Sequence, residues 1–177
     1  SPMGWNGIPA VHPRKEEIAY ECGALVMELV RKGITPRSIV TRKSFENATA
    51  GVMATGGSTN AVLHLPATAK DFGLKLSIDD FDRISKKTPV VADLKPWGSY
   101  TAPEMYEARG MPVVGKRLLD AKLLHGGEKT VTGRTVGEEI KRAEEPTGQQ
   151  VIKRLDKALK PYGGLAILRG NIAPGGC

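Results

Sequence analysis

Apolar positions recur with a helical period along most of the chain. Between Pro13 and Lys32, Ile18, Cys22, Leu25, Val26 and Leu29 fall at i, i+4, i+7, i+8 and i+11, which is one face of an α-helix. Pro13 suits the first helical position, where a missing N–H is no loss. Gly33 supplies the stop. Thr35 is read as the cap of a short helical turn beginning at Pro36, and Thr41 as the cap of a longer helix with Phe45, Ala48, Val52 and Met53 on one face. That helix ends at Gly56-Gly57. Another runs from about Ser58 to Phe72, with Pro66 inside it and Gly73 as its stop. A proline there removes one backbone bond and costs about 3 kcal/mol unless a kink is wanted.

Capping boxes place further starts. Ser77-Ile78-Asp79-Asp80, Thr101-Ala102-Pro103-Glu104 and Thr135-Val136-Gly137-Glu138 each set a hydroxyl three residues before an acid that can reach back to it. They predict helices near 78–87, 102–109 and 136–144. A further helix near 112–124 carries Val114, Leu118 and Leu119. Strands are fewer. Pro89 to Ala92 and Leu165 to Leu168 are the best candidates. The Gly- and Thr-rich stretch 126–134 reads as a hairpin or loop. Helices with a few buried strands give an α/β class.

Composition narrows the function classes. The 177 residues are 40% hydrophobic and 25% charged, ordinary globular values. No apolar run approaches the roughly 18 residues of a spanning helix, so no membrane is expected as a partner. The chain holds 26 Lys+Arg against 19 Asp+Glu, a formal charge of +7. The two signs are interleaved, as in Arg14-Lys15-Glu16-Glu17, which favours a solvated mixed surface over a nucleic-acid site. Cys22 and Cys177 are the only cysteines. They form neither a disulfide framework nor a zinc spacing, and they fit a reducing compartment. The expected location is the cytoplasm, or an organelle matrix in a eukaryote. Leu165 to Leu168 lies so near the last residue that a pairing strand is expected to be missing. The chain is therefore expected to be an internal piece of a longer protein. Its unpaired apolar edge should make it self-associate, and deletion from about Lys160 should relieve this.

The sharpest local chemistry is Gly56-Gly57-Ser58-Thr59-Asn60 at a helix start. Two glycines allow unusual backbone angles and close approach. The N–H groups that follow face outward at the positive end of a helix dipole and suit a carboxylate or phosphate. Gly57, Ser58, Thr59 and Asn60 are thus candidates for substrate binding or for an interface. His64, four residues after Asn60, joins them on the same helix face. A plain cap between two packed helices explains the same pattern. Asp79, Asp80 and Asp82 fit the first turn of a helix better than a metal cluster, because acids there complement the dipole. His12, His64 and His125 form no metal-binding pair, and no nucleophile elbow is present. These residues designate no catalytic group and no metal ligand.

Met53-Ala54-Thr55-Gly56-Gly57-Ser58-Thr59-Asn60-Ala61-Val62-Leu63-His64-Leu65 resembles the central signature of the dihydroxy-acid dehydratase and phosphogluconate dehydratase family. Further blocks follow in that family's order. They are Asp79 to Ile84, Ala92-Asp93-Leu94-Lys95-Pro96, Thr130-Val131-Thr132-Gly133, and Gly163 to Pro174. The resemblance extends from about Lys15 to Cys177. It implies a hydro-lyase that removes water from a 2,3-dihydroxy acid to give a 2-keto acid. It also implies an iron–sulfur cluster acting as Lewis acid toward the leaving hydroxyl, a magnesium ion holding the carboxylate, and a serine that takes the C2 proton. The ligands of both metals and that serine would lie outside this chain. Residues 1–150 would be the later part of an N-terminal α/β domain. Residues 151–177 would be a linker and the first strand of a β-rich C-terminal domain. Ala61-Val62 resembles the branched-chain dihydroxy-acid enzymes more than the phosphogluconate group, with a sugar-acid dehydratase as the alternative. A homodimer or higher homo-oligomer and a small-molecule dihydroxy acid are the implied partners. Outside the family, a non-catalytic helical binding module or a basic RNA-associated domain would share these features.

Overall fold

A computed structural model describes all residues, Ser1 to Cys177. Eight α-helices carry the chain: α1 (Lys15–Arg31), α2 (Pro36–Ile39), α3 (Arg42–Ala54), α4 (Asn60–Asp71), α5 (Ile78–Ser85), α6 (Ala102–Glu107), α7 (Met111–Asp120) and α8 (Val136–Lys141). Every helix expected from the apolar spacing and the caps is present. Most are shorter at one or both ends. The first begins at Lys15 rather than Pro13. A turn through His12, whose carbonyl accepts from the Lys15 N–H at 2.9 Å, occupies the residues before it.

The capping boxes explain three of the starts. Asp80 accepts from the Ser77 N–H at 2.8 Å, Glu104 from the Thr101 N–H at 2.7 Å, and Glu138 from the Thr135 N–H at 2.7 Å. A fourth box opens α3, where the Ser44 hydroxyl accepts from the Thr41 N–H at 2.9 Å. It uses serine at the third position, so the Glu/Gln signature does not reveal it.

Helix α3 lies at the centre, against α4, α5 and α7, while α8 packs on α7. Its buried face differs from the expected one. Phe45 and Met53 are buried, but Ala48 is exposed, and Thr49, Ala50, Gly51 and Ala54 are buried instead. Neighbours on several sides leave room only for small residues. A Cβ on Gly51 would stand 3.0 Å from the Met111 terminal methyl. Phe81, Val91, Val113, Val114, Leu118 and Ile152 complete one continuous core around it. Burying each such side chain contributes about 1.5–3 kcal/mol before entropy is counted.

The expected strands do not form a sheet. Val90, Val91 and Ala92 are fully buried, yet their partners are irregular segments. The Val90 N–H donates to Lys160 at 3.0 Å and the Asp93 N–H to Val151 at 2.9 Å, leaving isolated bridges only. The α/β class expected from the sequence therefore appears here as a helix-rich structure without a strand ladder. No strand forms at 165–168 either. Leu165 and Ile167 pack on the core, and Leu168 exchanges backbone bonds with Cys177 at 2.8 and 2.9 Å. The expected bare edge is covered only at Leu165 and Ile167, while Ala166 is exposed and Leu168 is 63% exposed. The Leu165 carbonyl accepts from the Ser85 hydroxyl at 2.5 Å and Leu168 pairs with Cys177, while the Ala166 and Ile167 N–H groups donate to no backbone carbonyl. The 126–134 stretch is a tight turn, with the Thr130 N–H donating to Arg134 at 2.8 Å and Gly133 at φ 82°.

Charged side chains pin α3 to α5 and to the loop after α7. Arg42 meets Asp80 at 2.5 Å, while Arg83 reaches Glu46 at 2.9 Å and Asp80 at 3.1 Å. His125 Nε2 lies 2.7 Å from Glu46, and the Asn47 amide accepts from the His125 N–H at 2.8 Å and donates to its carbonyl at 3.0 Å. Burial opposes ionisation of Asp80. Hydrogen bonds from Arg42, from the Ser77 N–H and from Arg83 outweigh it and hold the carboxyl well below the usual range. At Glu46 burial is likewise overcome, by His125 and Arg83, and the pKa is lowered.

Two outcomes follow from this packing. Both carboxylates are more acidic folded than unfolded, so their stabilisation is complete above an unfolded pKa of about 4 and is lost as pH falls below it toward the folded values. The melting temperature should drop between pH 6 and pH 3, and Asp80→Asn should flatten that drop while lowering the plateau. A melting series that is equally steep in the variant contradicts this. Deletion from Lys160 onward should destabilise the chain rather than relieve it. It removes the Lys160 carbonyl that serves Val90 and uncovers Met53 and Ser85. Thermal melting of the truncated and intact chains decides the point.

Candidate functional site

The Gly56–Asn60 turn is built from the end of α3 and the start of α4. At the end of α3, the Gly57 N–H donates to Val52 at 3.0 Å and the Gly56 N–H to Met53 at 3.5 Å. Gly56 sits at φ 73°. This is a Schellman cap, which needs a left-handed residue where glycine costs least. Close approach adds a second demand for glycine. A Cβ on Gly56 would be 2.6 Å from the Trp97 indole, one on Gly57 would be 2.4 Å from Val52 Cγ1, and one on Gly164 would be 2.4 Å from Gly56 Cα. The Gly-Gly pair is thus explained by packing: Trp97 covers Gly56 and Gly164 also lies against it.

The polar half of the turn is different. Thr59 caps α4 in helical conformation and makes no side-chain cap bond. Ser58 Oγ accepts from the Asn60 N–H at 3.2 Å, which starts the helix locally. Gly57, Ser58, Thr59, Asn60 and His64 are all exposed. The Thr59 and Asn60 side chains and the His64 ring make no hydrogen bond within the chain, and the Ser58 and Thr59 N–H groups donate to no other backbone carbonyl. Unused donors therefore face outward at the positive end of a twelve-residue helix. Pro66 lies inside α4, which nonetheless runs to Asp71. Near it, the Thr68 hydroxyl donates to the His64 carbonyl at 2.9 Å.

The remaining chemistry-bearing residues are dispersed. Asp80 is absorbed by its cap and two arginines, Asp82 pairs with Lys86 at 2.5 Å, and Asp79 pairs with Arg169. His12 Nδ1 accepts from the Arg14 N–H at 3.1 Å, and its ring meets Tyr106 edge-on. Every carboxylate with a shifted pKa is shifted downward, by a hydrogen-bonding cap or cationic partner that overcomes any burial. Such groups are held ionised, which suits ion pairs and caps rather than a general acid. The ion-paired cluster of Glu46, Asp80, Arg42, Arg83 and His125 was not anticipated from sequence. Only Arg42/Glu46 and Asp80/Arg83 have helix-neighbour spacing. The other pairs join residues far apart in the chain.

The donor set does not fit a metal centre. Cys22 is half-buried on α1, Cys177 is exposed near the last turn, and no three His, Cys, Asp or Glu side chains converge. An iron–sulfur cluster of this type needs about three or more placed thiolates. No chemical step is therefore assigned to a metal held by these residues. No helix is long and apolar enough to cross a membrane.

The Gly56–Gly164 contact makes a specific expectation. Gly164→Ala places a methyl against the Gly56 backbone, which has no side chain to move aside. It should cost about 1–3 kcal/mol, as overpacking typically does, and be read as a lower melting temperature. Gly127→Ala, where nothing lies within 4 Å, should be close to neutral. Equal melting of the two variants would contradict the packing described.

Residues 1–139 match the family model described as "Dihydroxy-acid/6-phosphogluconate dehydratase N-terminal". A dihydroxy-acid dehydratase of Thermus thermophilus is 59% identical over 99% of this chain and 32% of its own length. One of Koribacter versatilis is 52% identical over 100% and 31%, and one of a Roseiflexus species is 51% identical over 99% and 32%. The chain thus spans about a third of the length of the curated relatives it matches. With the model matching most of its residues, this chain belongs to the dihydroxy-acid/6-phosphogluconate dehydratase family.

Proposed function

We propose that this chain is part of a hydro-lyase that converts 2,3-dihydroxy acids to 2-keto acids, with branched-chain dihydroxy acids of valine and isoleucine biosynthesis as substrates. The observation that carries the reading is the 59% identity, over 99% of the chain, to a protein named dihydroxy-acid dehydratase. The iron–sulfur cluster and magnesium ion belong to the same proposal, with their ligands outside these 177 residues. So do a homodimeric or higher assembly, a location in the cytoplasm or an organelle matrix, and a division near residue 150 into an N-terminal domain and the start of a second one.

Within this reading, Gly57, Ser58, Thr59, Asn60 and His64 serve the substrate carboxylate or the interface that borders it. Two features support that role: the unused N–H and side-chain donors, and the dipole behind them. Their task is to bind and orient an anion, since none of them has a partner that would activate it as an acid or base. A neutral hydrogen bond contributes about 0.5–1.5 kcal/mol and one to a charged group about 1.5–3 kcal/mol.

The test is turnover by the full-length protein. A branched-chain 2,3-dihydroxy acid should be dehydrated with a higher kcat/KM than an aldonate or phosphogluconate, and the reverse order would replace the substrate class. Ser58→Ala and Asn60→Ala should each lower kcat/KM by about five- to a hundredfold, which is about 1–3 kcal/mol, and change the melting temperature less than a buried-core truncation does. Unchanged kinetics combined with a large loss of stability would reduce the turn to a helix cap.

A further inference from the structure

The loop from Asp93 to Tyr100 carries a tryptophan whose placement core packing does not explain. Backbone bonds close the loop. The Tyr100 N–H donates to the Asp93 carbonyl at 3.0 Å, the Lys95 N–H to Tyr100 at 2.7 Å and the Gly98 N–H to Leu94 at 2.8 Å. The Asp93 carboxylate accepts from the Ser99 N–H at 2.9 Å and meets the Lys153 ammonium at 3.4 Å. These bonds fix the backbone that presents Trp97. Its ring lies on Gly56, where a Cβ would stand 2.6 Å from both Cζ2 and Nε1. The Lys160 ammonium, from a second segment, lies 5.8 Å from the ring centroid in a cation–π contact. Yet Trp97 is 46% exposed and takes no part in the hydrophobic core.

The Gly56-Gly57 pair needs such support. Glycine reaches left- and right-handed angles about equally well. Two in succession leave the direction of Ser58, Thr59 and Asn60 loosely set unless something presses on them. Gly56 is left-handed, at φ 73°, and is touched by Trp97 and by Gly164. Gly164 belongs to the interior and is tied there by its N–H bond to Met53 at 3.0 Å. Trp97 stands at the surface, on the same turn that carries the unused donors.

We infer that Trp97 is a positioning residue for substrate binding. Its indole holds Gly56 and Gly57 so that the Ser58 and Thr59 N–H groups and the Asn60 side chain meet the substrate carboxylate. The inference rests on the role proposed above for that turn and adds the residue that sets its geometry. A misplacement of about 1 Å in a binding group is enough to cost a large factor in rate. The carboxylate contacts are the same in ground and transition states, so the loss falls on KM and not on kcat.

Steady-state kinetics of the full-length protein with a branched-chain 2,3-dihydroxy acid test this. Trp97→Ala should raise KM by about five- to fiftyfold and leave kcat within about twofold. Trp97→Phe keeps a flat ring and should recover most of the lost affinity. Trp97→Leu stays apolar without the flat ring and should also raise KM, which covers the case in which the alanine variant does not fold. In an Asn60→Ala background, Trp97→Ala should raise KM by a smaller factor than in the wild type, because one donor that it positions is gone. An unchanged KM in the alanine or leucine variant, a loss confined to kcat or melting temperature, no recovery with phenylalanine, or fully multiplicative effects in the double variant would each overturn the inference. The turn keeps its proposed role in those cases if Asn60→Ala or Ser58→Ala still lowers kcat/KM. If neither does, the turn does not bind substrate, and both readings fall.

Discussion

The last turn of α3 is the constraint on which the rest of the structure depends. A helix end leaves carbonyls without intrahelical partners, and in a buried helix each one needs a donor from elsewhere. Here the Val52 carbonyl accepts from Gly57, the Met53 carbonyl from Gly164 at 3.0 Å, and the Ala54 carbonyl from Val91 at 2.9 Å and Ala92 at 3.2 Å. These three acceptors gather the start of α4, the buried Val90–Ala92 segment and the stretch near residue 164 at one point. The burial of Met53, Ala54 and Val91, all essentially inaccessible, makes any loss among these bonds costly.

That convergence also presents the candidate site. The Schellman turn at Gly56 redirects the chain and starts α4 with its donors outward. Trp97 and Gly164 lie against Gly56 and limit how the turn can move. A rigid base beneath exposed donors is a common arrangement for a binding loop, because the scaffold supplies precision and the loop supplies chemistry. The glycines therefore serve the scaffold, whereas the Ser58 and Thr59 N–H groups and the Thr59 and Asn60 side chains are donors and acceptors that the fold leaves unused.

Charge plays a second, local role. Glu46 and Asp80 join α3 to α5 through Arg42 and Arg83, and Glu46 with Asn47 fastens the loop at His125. Exposed ion pairs contribute little. These carboxylates are sheltered and shared between several cations, and their lowered pKa values reflect that. What this chain supplies is a packed helical body with one polar turn.

Local order was legible in the sequence wherever the physics was local. The boxes at Ser77, Thr101 and Thr135 close within four residues, so residue types at fixed spacing suffice to specify them. The glycine stops at Gly33, Gly56 and Gly73 adopt left-handed angles for the same reason. The Gly56–Asn60 turn was also visible, and its family signature with it. The sequence could not decide what lies opposite a buried segment. Leu165 to Leu168 reads as a strand from composition, but a strand exists only if another extended segment runs beside it, and here only the Ser85 hydroxyl and Cys177 bond to its backbone. In α3, the apolar stripe pointed to Ala48, while neighbours on several sides selected Thr49, Ala50 and Ala54. In α1, five apolar positions gave the helix and its face, yet only the folded chain shows that Ile18 is buried and Val26 exposed. Burial is a property of neighbours brought together from distant parts of the chain, and tertiary structure alone determines it.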